Sequence, residues 1–230
     1  MFVSLTIIRY PKRFVPLAFL SMAFLRLPLL FQKGLTFNKL LGCGRNGTFD
    51  ITPDWQQWGF LGVWEDEVAH EAFQKSIVWR FWRSFSNEQW TLLCTPYESH
   101  GLWNGLQPFG QPVPDKIYAG PIAVLTRATI KFTKLRGFWS NVPAVAATMG
   151  NAPGFITSVG IGEAPFVRQA TFSIWESLND VKQFAYRQRE HAEVIKKTRS
   201  EAWYSEELFG RFIPYQSSGT LNGVNPYVVG

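Results

Sequence analysis

The side chains of this sequence that are best suited to chemistry are histidines and arginines. The chain contains three histidines, and one of them belongs to a regular pattern. Spacings of three and four residues join Val181, Phe184, Gln188, His191 and Ile195. Such spacing places these side chains on one face of a helix, so His191 is predicted to point toward a mainly apolar side. An imidazole in that position is either a core histidine that is hydrogen-bonded to the backbone or a ligand to a metal.

Arg127 lies in the string VLTRATI, which is otherwise apolar and typical of a buried strand. A buried charge requires a partner, and two kinds of partner are open. One is an anionic group or an oxygen of a bound molecule. The other is a structural ion pair with Glu176 or Glu206. Two further arginines are weaker candidates: Arg168 on a predicted strand, and Arg187, one helical turn before His191. Each either binds the same kind of anionic group or faces solvent.

The other histidines and the two cysteines show no such pattern. His70, in EDEVAHEAF, is predicted on the exposed side of a helix, and His100 lies in a turn. Cys43 and Cys94 fall on different predicted strands without a CxxC spacing, which argues against a disulfide framework and a zinc site. A reducing cytoplasm fits this usage. His100 and Cys94 are the alternative metal ligands. No serine lies in a strand-turn-helix elbow, so no Ser-His-Asp triad is indicated.

Composition limits the classes of partner. The chain has 230 residues, of which 46% are hydrophobic and 16% aromatic, enough for a folded core. The aromatic content indicates either an aromatic-rich core or a pocket for a large flat or apolar ligand. A net charge of +6 favours anionic partners such as phosphates or a lipid surface. No run of Lys and Arg reaches five, which argues against nucleic acid.

The chain carries an internal repeat. TPYESHGLWNG at residues 95–105 and IPYQSSGTLNG at residues 213–223 agree at Pro, Tyr, Ser, Gly, Asn and Gly, with an offset of 118 residues. LGCG at 41–44 and VGIG at 159–162 have the same offset, and Trp64-Glu65 precedes Trp175-Glu176 by 111 residues. These matches indicate a duplication.

Both halves give the same order of predicted elements. The first half contains a strand at 2–10, a helix at 12–30, strands at 37–43 and 58–64, a helix from 65 and a strand at 89–96. The second half contains a strand at 122–131, a helix at 134–149, strands at 154–161 and 167–175, a helix at 177–199 and a strand at 207–215. The apolar stretch 14–31 is thereby predicted as the first packed helix and not as a signal peptide or membrane span.

The predicted fold class is α+β. Each half is β-α-β-β-α-β, the ferredoxin-like unit, and the two tandem units are expected to form a fused barrel of the dimeric α+β type. The predicted organisation is a first half at 1–105, a linker at 106–119, a second half at 120–223 that carries the candidate site, and a tail at 224–230. The repeated string is expected to mark the end of each last strand.

Six strings occur in order between Gly120 and Phe212: GPIAVLTRATI, GFW, GIGEAP, QATFSIW, HAEVIKKTRSEAW and EELFGRF. In this order and spacing they resemble the spheroidene monooxygenase family, the acyclic carotenoid 2-ketolases. The resemblance implies a haem-dependent oxygenase that introduces a keto group at C2 of an acyclic carotenoid such as spheroidene or lycopene. It also implies a ferredoxin-type electron donor.

The resemblance implies roles for the residues named above. His191 is assigned as the axial ligand of the haem iron, and His191 and Arg127 as the catalytic residues. Arg127, Arg168 and Arg187 become candidates to bind the haem propionates. Phe138 and Trp139 of the GFW string either wall the cofactor or belong to the core.

The implied substrate requires an apolar channel. Its predicted lining comes from the second half and consists of Phe138, Trp139, Phe155, Phe166, Phe172 and Trp175. Two alternatives stay open on the same barrel: a haem dehydratase or peroxidase that acts on a small substrate, and a non-catalytic barrel that binds haem or an apolar ligand. The expected location is the cytoplasm, with a peripheral contact to the inner membrane, as a monomer or a homo-oligomer.

Overall fold

A computed structural model describes residues 1–45, 52–110, 112, 118–164, 166–187 and 200–227. The first repeat contains β1 (Phe2–Arg9), α1 (Val15–Phe24), α2 (Arg26–Leu30), β2 (Leu35–Gly44), β3 (Pro53–Trp64), α3 (Glu67–Phe73), α4 (Ile77–Phe85) and β4 (Glu88–Gly101). The second repeat contains β5 (Ile122–Ile130), α5 (Leu135–Met149), β6 (Phe155–Ala164), β7 (Arg168–Trp175), α6 (Leu178–Arg187) and β8 (Tyr204–Gly219).

The element order confirms the tandem β-α-β-β-α-β prediction. The strands pair in the order β1-β3-β2-β6-β7-β5-β8-β4 and close as a barrel. The equivalent strands of the repeats pair in the same way, since β1 is antiparallel to β3 with Leu5 opposite Leu61, and β5 is antiparallel to β7 with Leu125 opposite Phe172. The fold is therefore the α+β barrel expected from the duplication.

Two predicted helices of the first repeat are each divided into two shorter helices. The predicted helix 12–30 begins with a 3₁₀ turn (Lys12–Phe14) and is then divided between α1 and α2 at Leu25. Pro28 has no N–H with which to bond the carbonyl of Phe24, so regular helical pairing fails at that point. The predicted helix from residue 65 is likewise divided, because the Ser76 side chain accepts the backbone N–H of Trp79 at 3.3 Å and caps a new helix, α4.

The chain forms two compact units that do not follow the halves of the sequence. One comprises Met1–Cys43, Asp54–Pro96 and Pro214–Gly230, and the other comprises Gly44–Pro53 and Tyr97–Ile213. The boundaries fall within β4 and β8, so each repeat contributes the end of its last strand, with the following turn, to the unit of the other repeat.

The first unit has an aromatic core. Stacked and tilted rings of Phe60, Trp64, Phe73 and Trp82 form its centre, with neighbouring ring centroids 5.0–6.5 Å apart. Among the described residues, two hydrophobic clusters belong to the second unit alone. One surrounds Trp175, and the other joins Ile130, Phe138, Val142 and Trp203.

The repeated string forms the same turn in each unit. At the end of β4, Gly101 has φ +88° and the Leu102 N–H donates to the Glu207 carbonyl at 2.8 Å. Asn104 and Gly105 follow with φ of 54° and 75°, the two left-handed residues of a type I′ turn. The string thus marks the end of the strand, as predicted.

The second copy of the turn, after β8, has the same geometry. Gly219 has φ +81°, Thr220 donates to the Gln89 carbonyl at 3.0 Å, and Asn222 and Gly223 have φ of 55° and 86°. The sequence repeats the string because both turns need glycine or asparagine at positions where other side chains are strained.

The apolar stretch near residue 20 is helical, as predicted. Ala18, Leu25 and Leu29 anchor it in the core of the first unit. Among the described residues, Lys12–Leu30 is the one helical stretch long and apolar enough to cross a membrane, and 22% of its apolar window is buried.

Candidate functional site

Arg127 lies near the end of β5 and shares a sheet face with Leu125. Side chains directly opposite in an antiparallel pair point to the same face, so Arg127 lies beside Ala170 of β7 and Leu208 of β8. The residue is 2% exposed. The small Ala170 leaves room for the guanidinium, and burial makes a counter-charge necessary.

Two carboxylates meet this guanidinium. Arg127 Nη1 donates to Glu206 Oε1, and Arg127 Nη2 lies 3.3 Å from Glu163 Oε2. The indole Nε1 of Trp103 donates to the same Glu163 oxygen at 2.8 Å, and the Arg127 guanidinium carbon lies 5.6 Å from the centroid of the Trp103 ring. The cation is therefore balanced by two acidic groups and covered by an aromatic face.

Glu206 also binds the repeated turn. Its carboxylate accepts the backbone N–H groups of Asn104 and Gly105 at 3.0 and 2.8 Å. Burial acts to raise the pKa of this carboxyl, but the two backbone donors and the Arg127 charge outweigh it, so the pKa of Glu206 lies below its usual value. The cluster fixes the turn to the start of β8.

Arg9 forms the matching cluster in the first unit. Its guanidinium lies 3.2 Å from Asp54 and 3.5 Å from Glu88, and it donates to the side chain of Asn222 at 2.8 Å. The N–H of Gly223 donates to Glu88. An arginine, a glutamate and an Asn-Gly turn thus recur together.

The offset of 118 residues relates Arg9 to Arg127 and Glu88 to Glu206. A contact retained in both repeats serves the fold, because a single reaction needs only one copy of its chemical groups. The geometry therefore favours the structural alternative for Arg127, the ion pair with Glu206. Sequence reasoning missed Arg9, although the offset applied to Arg127 would have found it.

The other arginine candidates lie apart from this cluster. Arg168 is exposed at the start of β7, opposite Thr129. Arg187 is the last described residue of α6. The roles of Arg127, Arg168 and Arg187 toward haem propionates stay predictions.

Phe138 and Trp139 lie at the beginning of α5 and differ in environment. Phe138 is buried against Trp203, with ring centroids 6.4 Å apart, and belongs to the core. Trp139 is half-buried, donates its indole N–H to the Phe166 carbonyl at 3.1 Å and packs edge to face on the Phe166 ring. The pair of Trp139 and Phe166 therefore keeps apolar surface exposed.

The remaining aromatic candidates divide between the two faces of the sheet. Trp175 packs on Phe155 and on Phe184 of α6, with centroids 5.3 and 5.1 Å apart. Phe172 points to the opposite face, where its ring stacks with Phe212 at 6.0 Å. These residues therefore do not form a single aromatic wall.

His191 falls outside the described residues, so its role as an axial ligand stays a prediction. The described part of α6 agrees with the helical face assumed for it, because Val181 and Phe184 are both buried and pack in the core of the second unit. His191 follows Phe184 by seven residues in the sequence.

His70 is buried, and its prediction as a surface residue is wrong. It is 4% exposed, and the rings of Phe2, Trp64, Phe73 and Trp79 surround it with centroids 5.2–6.5 Å away. Its Nε2 has no hydrogen-bond partner among the described residues, and burial lowers its pKa from 6.5 to about 4. The histidine is therefore a neutral core residue.

The other potential ligands lie in different environments. His100 is exposed and stacks on the ring of Phe209 at 5.1 Å. Cys43 and Cys94 are free and fully buried, and burial raises the pKa of both thiols, which opposes the thiolate that a metal requires. No disulfide joins them, as expected.

Haem iron takes an axial ligand from one side chain, whereas a site for a free metal ion needs several. The described residues contain no group of three or more His, Cys, Asp or Glu side chains arranged to hold a free metal ion. The aromatic rings around His70 leave no space for a macrocycle beside its Nε2. A cleft of about 650 Å³ in the first unit is lined by charged and polar groups such as Glu71, Lys75 and Arg83. The enclosed His70, Cys43 and Cys94 are thus poorly placed to bind haem iron, and the assignment of His191 stays a prediction.

Three relatives with established names are similar to this chain. It is 38% identical over 192 residues to the spheroidene monooxygenase of Cereibacter sphaeroides, a match that covers 83% of this chain and 59% of that protein. It is 33% identical over 218 residues to the spheroidene monooxygenase of Rhodobacter capsulatus, covering 92% of this chain and 89% of that protein. The spheroidene monooxygenase of Rubrivivax gelatinosus is 35% identical over 198 residues, 85% of this chain and 75% of that protein.

The barrel is also similar to two crystal structures of aldoxime dehydratase, one of them in complex with butyraldoxime. Both have a TM-score of 0.61 and cover 94% of this chain, with 81% and 79% of the other chains covered and identities of 11% and 9%. At these identities the similarity shows the fold alone, and it agrees with the α+β barrel. No family model matches the chain.

Proposed function

Because the chain belongs to the spheroidene monooxygenase family, we propose that it is a monooxygenase that introduces a keto group at C2 of an acyclic carotenoid of the spheroidene or lycopene type. The observation that carries the proposal is the match to the Rhodobacter capsulatus relative, which extends over nearly the full length of both proteins. The resemblance of six ordered strings in the second repeat supports the same assignment.

The exposed aromatic surface of the second unit supports an apolar substrate. A polyene has no polar groups to hold along its length, so it must be bound by burial against apolar side chains. Trp139 and Phe166 offer such surface next to each other. Small polar substrates would instead require several converging polar groups.

The proposed cofactor is haem, with His191 as the axial ligand. Bound haem would supply the activation of oxygen that a saturated carbon requires. What this chain would contribute is the imidazole of His191, which follows Phe184 of α6 by seven residues in the sequence. Val181 and Phe184 anchor the described part of α6 in the core. Arg168 and Arg187 are proposed to meet the propionates, whereas Arg127 already has two carboxylate partners.

The proposed partners follow from this chemistry. A ferredoxin-type protein delivers electrons, and the net charge of +6 suits an acidic donor. Since carotenoids reside in lipid, the protein is proposed to work in the cytoplasm at the surface of the inner membrane. Nucleic acid is not a proposed partner.

The function is tested by expression in a host that accumulates lycopene or spheroidene. Carotenoid extracts should contain a product with the mass change of CH₂ replaced by C=O and with the red-shifted absorption of a conjugated ketone. If haem is bound and no acyclic carotenoid changes, the ketolase proposal is wrong and a haem enzyme for a smaller substrate replaces it.

The cofactor is tested by the spectrum of the purified protein with and without added haemin. His191→Ala should abolish or strongly weaken the Soret band, while His100→Ala, at an exposed site, should leave it unchanged. An unaltered Soret band in His191→Ala would exclude this histidine as the ligand, and a loss confined to His100→Ala would transfer the role to His100.

A further inference from the structure

The helices α1 and α2 expose an unusual amount of apolar surface. Ala18, Leu25 and Leu29 hold one side of them in the core of the first unit. The other side consists of large apolar side chains that are 46–77% exposed: Phe19, Leu20, Phe24, Leu27, Leu30 and Phe31. These six residues are called the α1–α2 surface below. A helix that is apolar on all sides is normally enclosed by protein or lipid, so this surface requires a partner.

Among the described residues, a helix surface of this kind occurs in the first repeat only. In α5, the equivalent helix, none of the side chains that the structure describes is a large apolar residue in the exposed class. A feature that the fold itself required would occur in both repeats. The α1–α2 surface therefore serves something other than the fold.

Basic residues flank the surface. Lys12 and Arg13 precede α1, Arg26 begins α2 and Lys33 follows it, and all four are exposed. The sequence contains no Asp or Glu before Asp50. Among the described residues no acidic side chain pairs with any of the four. The segment 12–33 thus combines exposed apolar side chains with exposed basic ones and contains no acidic residue.

We propose that the α1–α2 surface docks the protein onto an anionic lipid bilayer. Apolar side chains that enter the headgroup region and basic side chains that meet anionic lipids are the two terms that hold interfacial helices at a membrane. The proposal depends on the proposed function only for the reason to bind a membrane, namely access to a substrate that is dissolved in lipid. Its physical basis is the exposure and the charge.

Two other occupants fit the surface less well. A transmembrane span would have to remove Ala18, Leu25 and Leu29 from the core and straighten the break at Leu25. A second copy of the chain would bring two sets of four unpaired basic residues together, and such like charges repel. A bilayer with anionic lipids neutralises the same charges.

The test measures sedimentation of the full-length protein with vesicles of phosphatidylcholine alone and of phosphatidylcholine mixed with phosphatidylglycerol. Binding should require the anionic lipid and weaken with added salt. A variant with Leu27→Ser, Leu30→Ser and Phe31→Ser should bind on the order of a thousandfold more weakly, since each interfacial apolar side chain contributes roughly tenfold. These three side chains are exposed, so the fold should be retained.

Phe132→Ser is the matched control, because this phenylalanine is 78% exposed in the second repeat and lies outside the α1–α2 surface. It should bind vesicles like the wild type. Failure of the wild type to bind anionic vesicles, or an equal loss in Phe132→Ser, overturns the proposal.

Two further outcomes also overturn it. Protein that resists extraction from vesicles by alkaline carbonate would be a transmembrane form. A wild-type dimer that the serine variant converts to a monomer would show that a second copy covers the surface. The vesicle assay needs neither haem nor carotenoid, so docking without ketolation contradicts only the proposed function, and ketolation without docking contradicts only this inference.

Discussion

Replacement of Gly101 by alanine should destabilise the protein far more than the same replacement at Gly105, four residues later. Both glycines have positive φ, +88° and +75°. They differ in what a Cβ would meet. At Gly101 it would lie 2.3 Å from the carbonyl oxygen of Glu207, whereas at Gly105 no atom lies within 4 Å.

The two costs can be worked out separately. An L-residue in the left-handed region costs about 1–2 kcal/mol, and this applies to both variants. The contact with Glu207 is to backbone, which cannot rotate away, so the end of β4 must move from β8. That movement breaks the bond from Leu102 and weakens those from Asn104 and Gly105 to Glu206, at about 1 kcal/mol each. We expect roughly 4–5 kcal/mol for Gly101→Ala and about 1–2 kcal/mol for Gly105→Ala.

Urea and thermal unfolding measure the difference. For a chain of this size 1 kcal/mol corresponds to about 2–4 °C, so the two variants should differ by roughly 10 °C in melting temperature. Gly219→Ala, where the Cβ would lie 2.0 Å from the Gln89 carbonyl, and Gly223→Ala, where it meets nothing within 4 Å, should show the same contrast. Equal midpoints for Gly101→Ala and Gly105→Ala would refute this account of the repeated turn.

Two more predictions concern buried charge. The pKa of His70 is about 4 in the folded protein and 6.5 in the unfolded chain. The unfolded chain therefore binds a proton first as the pH falls, and the free energy of unfolding decreases between pH 6.5 and pH 4. Below pH 4 it is lower by up to about 3 kcal/mol. His70→Val, which installs the residue type of Val181, should reduce this acid sensitivity in urea unfolding followed against pH, and an unchanged pH profile would contradict it. Arg127→Met removes a guanidinium that is 1% exposed and leaves the half-buried Glu206 without its cation, so it should cost about 3 kcal/mol, the lower end for a broken buried pair. Arg9→Met should cost about 1 kcal/mol, because Arg9 is 25% exposed. Equal losses would mean that burial does not distinguish the two clusters.

The fold was predicted mainly from positions where the backbone requires glycine or asparagine, and less from the helix and strand propensities of the other residues. The strings that identified the duplication are those with glycine and asparagine at fixed places, and Gly101 and Gly219 have left-handed backbone against a carbonyl that excludes any side chain. Such positions tolerate little variation, so the two copies remain alike there. The strands between them could be aligned from these fixed points.

Helix breaks were harder to predict because hydrophobic periodicity continues across them. Pro28 and Ser76 were both visible, but a proline or a capping serine ends a helix only in some contexts. The structure shows that Ser76 does cap α4, through Trp79. The boundaries were therefore less certain than the order of the elements.

The environment of His70 was mispredicted from the acidic residues next to it in the sequence. Its counterpart in the second repeat, by the offset of 111 residues, is Val181, an apolar residue on the core side of its helix. That comparison would have predicted burial. The partner Glu163 of Arg127 could not be predicted, because a register shift in the β6–β7 pair between Gly162 and Ala164 places its carboxylate. Local pattern does not specify such a shift.

The comparison between repeats also separates structural groups from functional ones. The arginine, the glutamate and the Asn-Gly turn are present in both, and their common task is to fix each last strand. What differs between the repeats is then where function is expected. The first repeat alone exposes the apolar side chains of α1 and α2, and the second alone carries the family strings and His191. One working copy of a site suffices after duplication, so the other copy is free to acquire a different surface. A surface that contacts a membrane suits the proposed substrate, because carotenoids are dissolved in lipid.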